Sequence, residues 1–160
     1  AAATGASDGL KLAVNVAAML LAFIALIALL NGLLGGVGSL FGFPELSFEL
    51  IIGYVNAPVA WLLGVPWEDC FVVGSILGKK LVLNEFVGYL DLVQVKGQIS
   101  ERSNILTTYA LCGFANFSSI AIQLGGIGTM APERRATLAA YGMKSLLGGT
   151  LACYMTACIA

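Results

Sequence analysis

The chain has 160 residues, of which 59% are hydrophobic and 11% charged, with a formal net charge of −1 and a mean hydropathy of +0.92. Soluble domains average about 45–50% apolar and about 25% charged residues, so eight basic and nine acidic side chains cannot clothe a soluble core of this size, and the bilayer is the natural solvent. The near-neutral charge offers no field for nucleic acid, and the absence of His removes the commonest general base and the commonest metal ligand.

Chain order begins with Leu12 to Leu30, 19 residues with no charge and Asn15 as the one polar member. At about 1.5 Å per residue this stretch matches a hydrocarbon core of about 30 Å. Ser7 or Asp8 would cap its start, and Gly32, Gly35, Gly36 and Gly38 should end it. The element is a transmembrane helix, placed at residues 8–34.

Residues 43–92 are interrupted by Pro44, Glu45, Glu49, Pro58, Pro66, Glu68, Asp69, Lys79, Lys80 and Glu85. Glu45 and Glu49, four apart, mark one side of an amphipathic segment, so residues 45–64 are expected to lie along the interface. Pro66-Trp67-Glu68-Asp69 reads as a helix start, with acids in the first turn. A helix to about Leu77, a turn at Gly78-Lys79-Lys80 and a second helix to about Leu90 would make a re-entrant hairpin over 66–92. Such backbone at membrane depth requires protein or a watery cavity around it.

Between Arg102 and Glu133 lie 30 uncharged residues. Their middle, Cys112-Gly113-Phe114-Ala115-Asn116-Phe117-Ser118-Ser119, is polar and glycine-containing where a simple span would be Leu-rich. The pattern predicts a broken transmembrane helix over 102–130, its halves meeting near Gly113 to Asn116. Gly125-Gly126 and Gly128 mark its far end, and Pro132-Glu133-Arg134-Arg135 opens a last transmembrane helix over 132–160. Arg134 and Arg135 place their link on the cytoplasmic side. The hairpin then enters from outside, and the first helix runs outward from Lys11. The fold class is all-α: a polytopic membrane protein with a re-entrant helical hairpin and a discontinuous transmembrane helix, in a single membrane domain. The chain opens without Met and no basic region precedes the first apolar stretch, so it reads as part of a longer protein rather than as one led by a signal peptide. The four Cys, at 70, 112, 153 and 158, sit among apolar residues without C-x-x-C spacing and read as small buried hydrophobes.

Glu85 is the most informative residue. It stands within Leu81-Val82-Leu83-Asn84-Glu85-Phe86-Val87-Gly88-Tyr89-Leu90, and a carboxylate at mid-membrane costs about 2.5–3.5 kcal/mol on insertion scales, which favours function. The alternative is pairing with Lys79 or Lys80, but five or six residues is a poor same-face helical spacing. The second constellation is Phe114, Asn116, Ser118 and Ser119. Helix breaks build midplane sites in transporters, though small and polar residues also pack membrane helices. Together, a carboxylate, an amide, a hydroxyl and an aromatic face suit a neutral polyhydroxylated ring compound. Gly125-Gly126-Ile127-Gly128-Thr129 lacks the Lys of a phosphate-binding loop and reads as a packing element. Asn116-Phe117-Ser118 matches a glycosylation sequon but lies within the bilayer.

Three segments carry a resemblance. Asn84 to Tyr89, Ala110 to Ile120 and Gly125 to Arg134 resemble the concentrative nucleoside transporters, with the likeness covering essentially the whole chain and the run Ala110 to Ser119 being the most specific. The chain matches that family's C-terminal region. The resemblance implies sodium-coupled, or in some members proton-coupled, nucleoside import across the plasma or bacterial inner membrane by a multi-pass homotrimer, with a transport domain moving like an elevator against a scaffold. It implies that Glu85, Asn116 and Ser119 hold the ribose hydroxyls and that Phe114 contacts the nucleobase. No covalent cofactor is expected. The sodium ligands, and the first hairpin that reads the base, belong mainly to an N-terminal half outside this chain. Two other classes stand beside this reading: a membrane-embedded enzyme using Glu85 as acid/base, which lacks an accompanying nucleophile or metal set, and a structural subunit packing through Gly32 to Gly36 and Gly74 to Gly78.

Overall fold

A computed structural model describes residues 2–160. Seven α-helices follow one another: α1 (Ala2–Leu40), α2 (Phe48–Leu62), α3 (Trp67–Val82), α4 (Glu85–Val95), α5 (Glu101–Leu111), α6 (Phe117–Met130) and α7 (Arg135–Ile159), with one 3-10 turn at Pro132–Arg134 between the last two. Among the described residues there is no strand, so the all-helical expectation holds.

The helix α1 does not stop in the glycine-rich stretch; it runs through it to Leu40. Glycine costs only about 1 kcal/mol relative to alanine in a helix, and here two glycines admit a neighbouring backbone. A Cβ on Gly38 would collide with the Phe43 carbonyl, and one on Gly35 would stand 3.5 Å from the Pro44 oxygen. The chain instead turns after α1, where Gly42 adopts φ +81°, the left-handed conformation glycine takes without strain. Residues Gly5–Leu40 are long and apolar enough to cross a membrane.

Ser47 caps α2 by accepting from Leu50 N. The expected interfacial helix over 45–64 is shorter, and Glu45 lies ahead of it. Glu49 turns to α1, accepting from Asn31 Nδ2 at 2.9 and 3.0 Å, while Asn31 Oδ1 accepts from Phe48 N. The helix packs antiparallel along α3, where a Cβ on Gly74 would stand 2.7 Å from Ala57 N and one on Gly78 2.7 Å from Gly53 N. Side chains larger than hydrogen do not fit there.

The expected turn at Gly78-Lys79-Lys80 is helical interior. Gly78 is needed for that close approach, and α3 continues to Val82. The turn falls at Leu83-Asn84, where Asn84 is extended and its side chain accepts from Val87 N to start α4. The pair α3–α4 forms a hairpin whose arms are tied by Lys79 Nζ to Asp91 Oδ2. Its ends also meet, because Asp69 in the first turn of α3 accepts from Ser100 N, Ser100 Oγ and Ser103 Oγ just beyond α4. The Ser103 bond above all, then that from the Ser100 backbone, holds the Asp69 carboxyl below its usual range.

Helices α5 and α6 follow one another across the non-helical residues 112–116, and α7 packs against both. The main core gathers Val73, Ile76 and Leu77 of α3 with Leu106, Ala110 and Leu111 of α5 and Ala157 of α7.

Candidate functional site at two facing helix interruptions

The break predicted near Gly113 to Asn116 spans 112–116. Asn116 is extended, at φ −153° and ψ 166°, and caps α6: Ser119 N donates to its Oδ1 at 2.8 Å, as does Ser119 Oγ, which also lies 2.9 Å from the Phe114 carbonyl. Polar side chains at a helix start compensate the free N–H groups that a break creates.

The break faces the tip of the hairpin. Ser118 Oγ donates to the Leu83 carbonyl at 2.9 Å, and Asn116 Nδ2 donates to Glu85 Oε2 at 2.9 Å. Two helix N-termini, those of α4 and α6, therefore converge on one spot, and their partial positive ends favour the Glu85 carboxylate. Glu85 is half-buried, whereas Asn116 and Ser119 are buried. Glu85 Oε1 accepts no hydrogen bond from a described residue, so one carboxylate oxygen can take donors from a ligand.

A cavity of about 470 Å³ opens beside the break, with Phe114, Asn116, Ser119 and Gln123 on one wall and Ser145 and Thr156 of α7 on the other. Phe114 is 66% exposed, offering a ring face. Of the four expected site residues, the structure thus brings Glu85, Asn116 and Ser119 into one hydrogen-bonded network and sets Phe114 at the cavity beside it. Glu85 reaches that cavity only through Asn116.

Neither lysine pairs with Glu85. Lys79 goes to Asp91. Lys80 is 1% exposed and directs its Nζ toward Cys153 Sγ at 3.6 Å. Sequence reading missed Lys80 as a core residue, and also Gln123, whose position seven residues after Asn116 and four after Ser119 places it on the same helix face. Among the described residues no group of three His, Cys, Asp or Glu could hold a metal ion, and all four cysteines are free thiols, two of them exposed.

A hairpin tip hydrogen-bonded to a helix interruption, with a half-buried carboxylate at the junction, is the kind of arrangement on which membrane solute carriers build their sites. The whole chain, residues 1–160, matches the family model described as the Na+ dependent nucleoside transporter C-terminus; the chain belongs to that family. It is 54% identical to the transporter YutK of Bacillus subtilis (strain 168), over all of this chain and 40% of YutK. It is 46% identical to sodium/nucleoside cotransporter 1 of Mus musculus, over all of this chain and 27% of that protein. Among solved structures, CNTnw variants in an outward-facing state superpose with a TM-score of 0.92 at 44% identity, over 99% of this chain and 40% of theirs. CNTnw in an inward-facing substrate-bound state superposes at 0.76 over the same shares. The chain spans about two fifths of the length of the bacterial relative and about a quarter of the mammalian one.

Proposed function

We propose that this chain is the C-terminal half of a multi-pass, cation-coupled nucleoside symporter of the plasma or bacterial inner membrane, and that it contributes the ribose-binding part of the substrate site. The observation that carries the reading is the hydrogen bond from Asn116 to Glu85, which joins two helix interruptions around a carboxylate with a free oxygen. Vicinal ribose hydroxyls donate well to such a carboxylate, Asn116 and Ser119 lie at hand for the remaining sugar oxygens, and Phe114 offers a face to the base. The coupling ion is sodium, as the mouse relative's name states for that protein, or a proton; its ligands lie mainly in the other half. In the same reading α3–α4 is a re-entrant hairpin, supported by the Asp69 bonds that return its ends to one place. The interrupted element α5–α6 crosses the bilayer, and the protein works as a homotrimer whose transport domain moves like an elevator. The better superposition on outward-facing CNTnw supports an outward-like arrangement here.

The test is uptake of radiolabelled uridine into vesicles carrying the full-length protein, with and without a sodium gradient. Glu85→Gln removes charge-assisted bonds worth on the order of 1.5–3 kcal/mol and should raise the apparent KM more than tenfold. Leu26→Val, on an exposed face of α1, should leave uptake unaltered. An unchanged KM in Glu85→Gln would overturn the assignment of the ribose site, and conversion of uridine in place of its accumulation would point to enzyme chemistry.

A further inference from the structure

Phe117 is the first residue of α6 and directly follows Asn116. Its ring is held from two sides. Phe23 of α1 stacks on it with centroids 6.4 Å apart and planes 19° apart, and Phe48, the first residue of α2, meets it at 6.0 Å and 46°. These are the aromatic contacts through which α1 and α2 reach the site-bearing helix. They sit one residue from the side chain that caps α6 and donates to Glu85.

The rest of the molecule is bound together in a different way. Helices α2 and α3 are locked by glycine-to-backbone contact, α3, α4 and α5 by the Asp69 and Lys79 bonds, and α7 lies along α5 and α6. Among the described residues helix α1 has no such lock to α6. It lies antiparallel to α6, from a contact of Leu12 with the face of Gly126 up to the Phe23–Phe117 stack. The outward-facing and inward-facing CNTnw structures, alike in identity and coverage, differ in how well this arrangement of helices superposes on them. Some interface within the matched residues is therefore arranged differently in the two; among the described residues α1 meets α6 without a hydrogen bond, as α7 meets α5 and α6, and α1–α6 is the interface whose contacts end at the helix start that carries Asn116.

We propose that Phe117 is a positioning residue. Clasped between Phe23 and Phe48, it holds the α6 start, and with it Asn116, in the arrangement closest to the outward-facing relatives, and releasing the clasp shifts the population toward the other arrangement. The inference rests on the transporter reading above. Aromatic pairs of this kind bias a two-state equilibrium by about two- to tenfold when one ring is lost.

The experiment uses the full-length protein in lipid, with Cys112 and Cys158 replaced by alanine and nitroxides attached at Leu26→Cys and Leu147→Cys, both at exposed positions of α1 and α7. Double electron–electron resonance reads the α1–α7 distance distribution. Phe117→Leu keeps apolar volume but no ring and should lower the ratio of the main sodium-free, substrate-free distance population to the alternative one by about two- to tenfold; Phe117→Trp should restore it. Phe23→Leu should act like Phe117→Leu and provides the same readout if the latter does not fold. A distribution in Phe117→Leu and Phe23→Leu identical to that of the parent would overturn the proposal. Loss of uridine uptake in Glu85→Gln alone leaves this distribution in place, so the site reading and the clasp fail separately.

Discussion

Asn116 serves three partners at once: it accepts from Ser119 N and from Ser119 Oγ, and donates to Glu85. Its amide is the smallest group that both caps a helix and reaches a carboxylate 31 positions earlier. Two tasks can be separated by substitution. Asn116→Ser keeps a good cap but is too short to reach Glu85, whereas Asn116→Ala loses both. The Ala variant should lose about 1 kcal/mol of stability and the Ser variant about half that or less, by thermal unfolding in detergent, while apparent uridine affinity falls in both. Affinity retained in Asn116→Ser would show that its bond to Glu85 is dispensable for binding. At this scale the sequence was informative where chemistry is local. Gly113 to Asn116 is too polar for a plain span, and the helix is interrupted there. Lys80 was opaque, because nothing in Gly78-Lys79-Lys80 says which lysine faces outward to Asp91 and which is buried against Cys153; only the rotation of α3, fixed by its glycine face, decides that.

The same glycine face explains where the elements departed from expectation. Glycine clusters at 32–38 and at 78 look alike in sequence, as helix stops or turns. In the structure Gly38, Gly74 and Gly78 each sit inside a helix because another backbone passes within van der Waals reach, whereas Gly32 and Gly36 meet no other atom within 4 Å. A turn signal and a close-packing signal use the same residue, and the sequence alone does not carry the neighbour that distinguishes them. The true turn at Leu83-Asn84 was hidden in an apolar run and is set by the Asn84 cap. Substitutions at the two kinds of glycine should therefore differ in sign. Gly78→Leu would drive α2 off α3 and should cost several kcal/mol, on the scale of overpacked cores or more, with loss of folded protein in size-exclusion chromatography. Gly36→Ala should be neutral or stabilising by up to about 1 kcal/mol. Equal tolerance of both would contradict the close α2–α3 contact.

Across the whole molecule, contacts order the elements by depth. Leu12 of α1 lies at Gly126 of α6, Phe23 at Phe117 beside the break, and Asn31 at the start of α2; α2 then runs along α3 until Gly64 meets Arg102. The ends of the hairpin and the start of α5 thus share one face, and Lys11, Arg134 and Arg135 gather toward the other. Short links rich in Lys and Arg stay cytoplasmic, so the reading proposed above expects the α6–α7 link inside and the α4–α5 link outside, with α5–α6 as the single crossing between them. Glu133→Cys and Gly97→Cys, both at exposed positions, test this in intact cells with a membrane-impermeant maleimide, scoring label above that of the unsubstituted protein. Gly97→Cys should be labelled from outside, and Glu133→Cys only after the membrane is opened. Both labelling from the same side would mean that the interrupted element turns back at its break instead of crossing, and the carboxylate at the hairpin tip would then face no second helix start across the bilayer's middle.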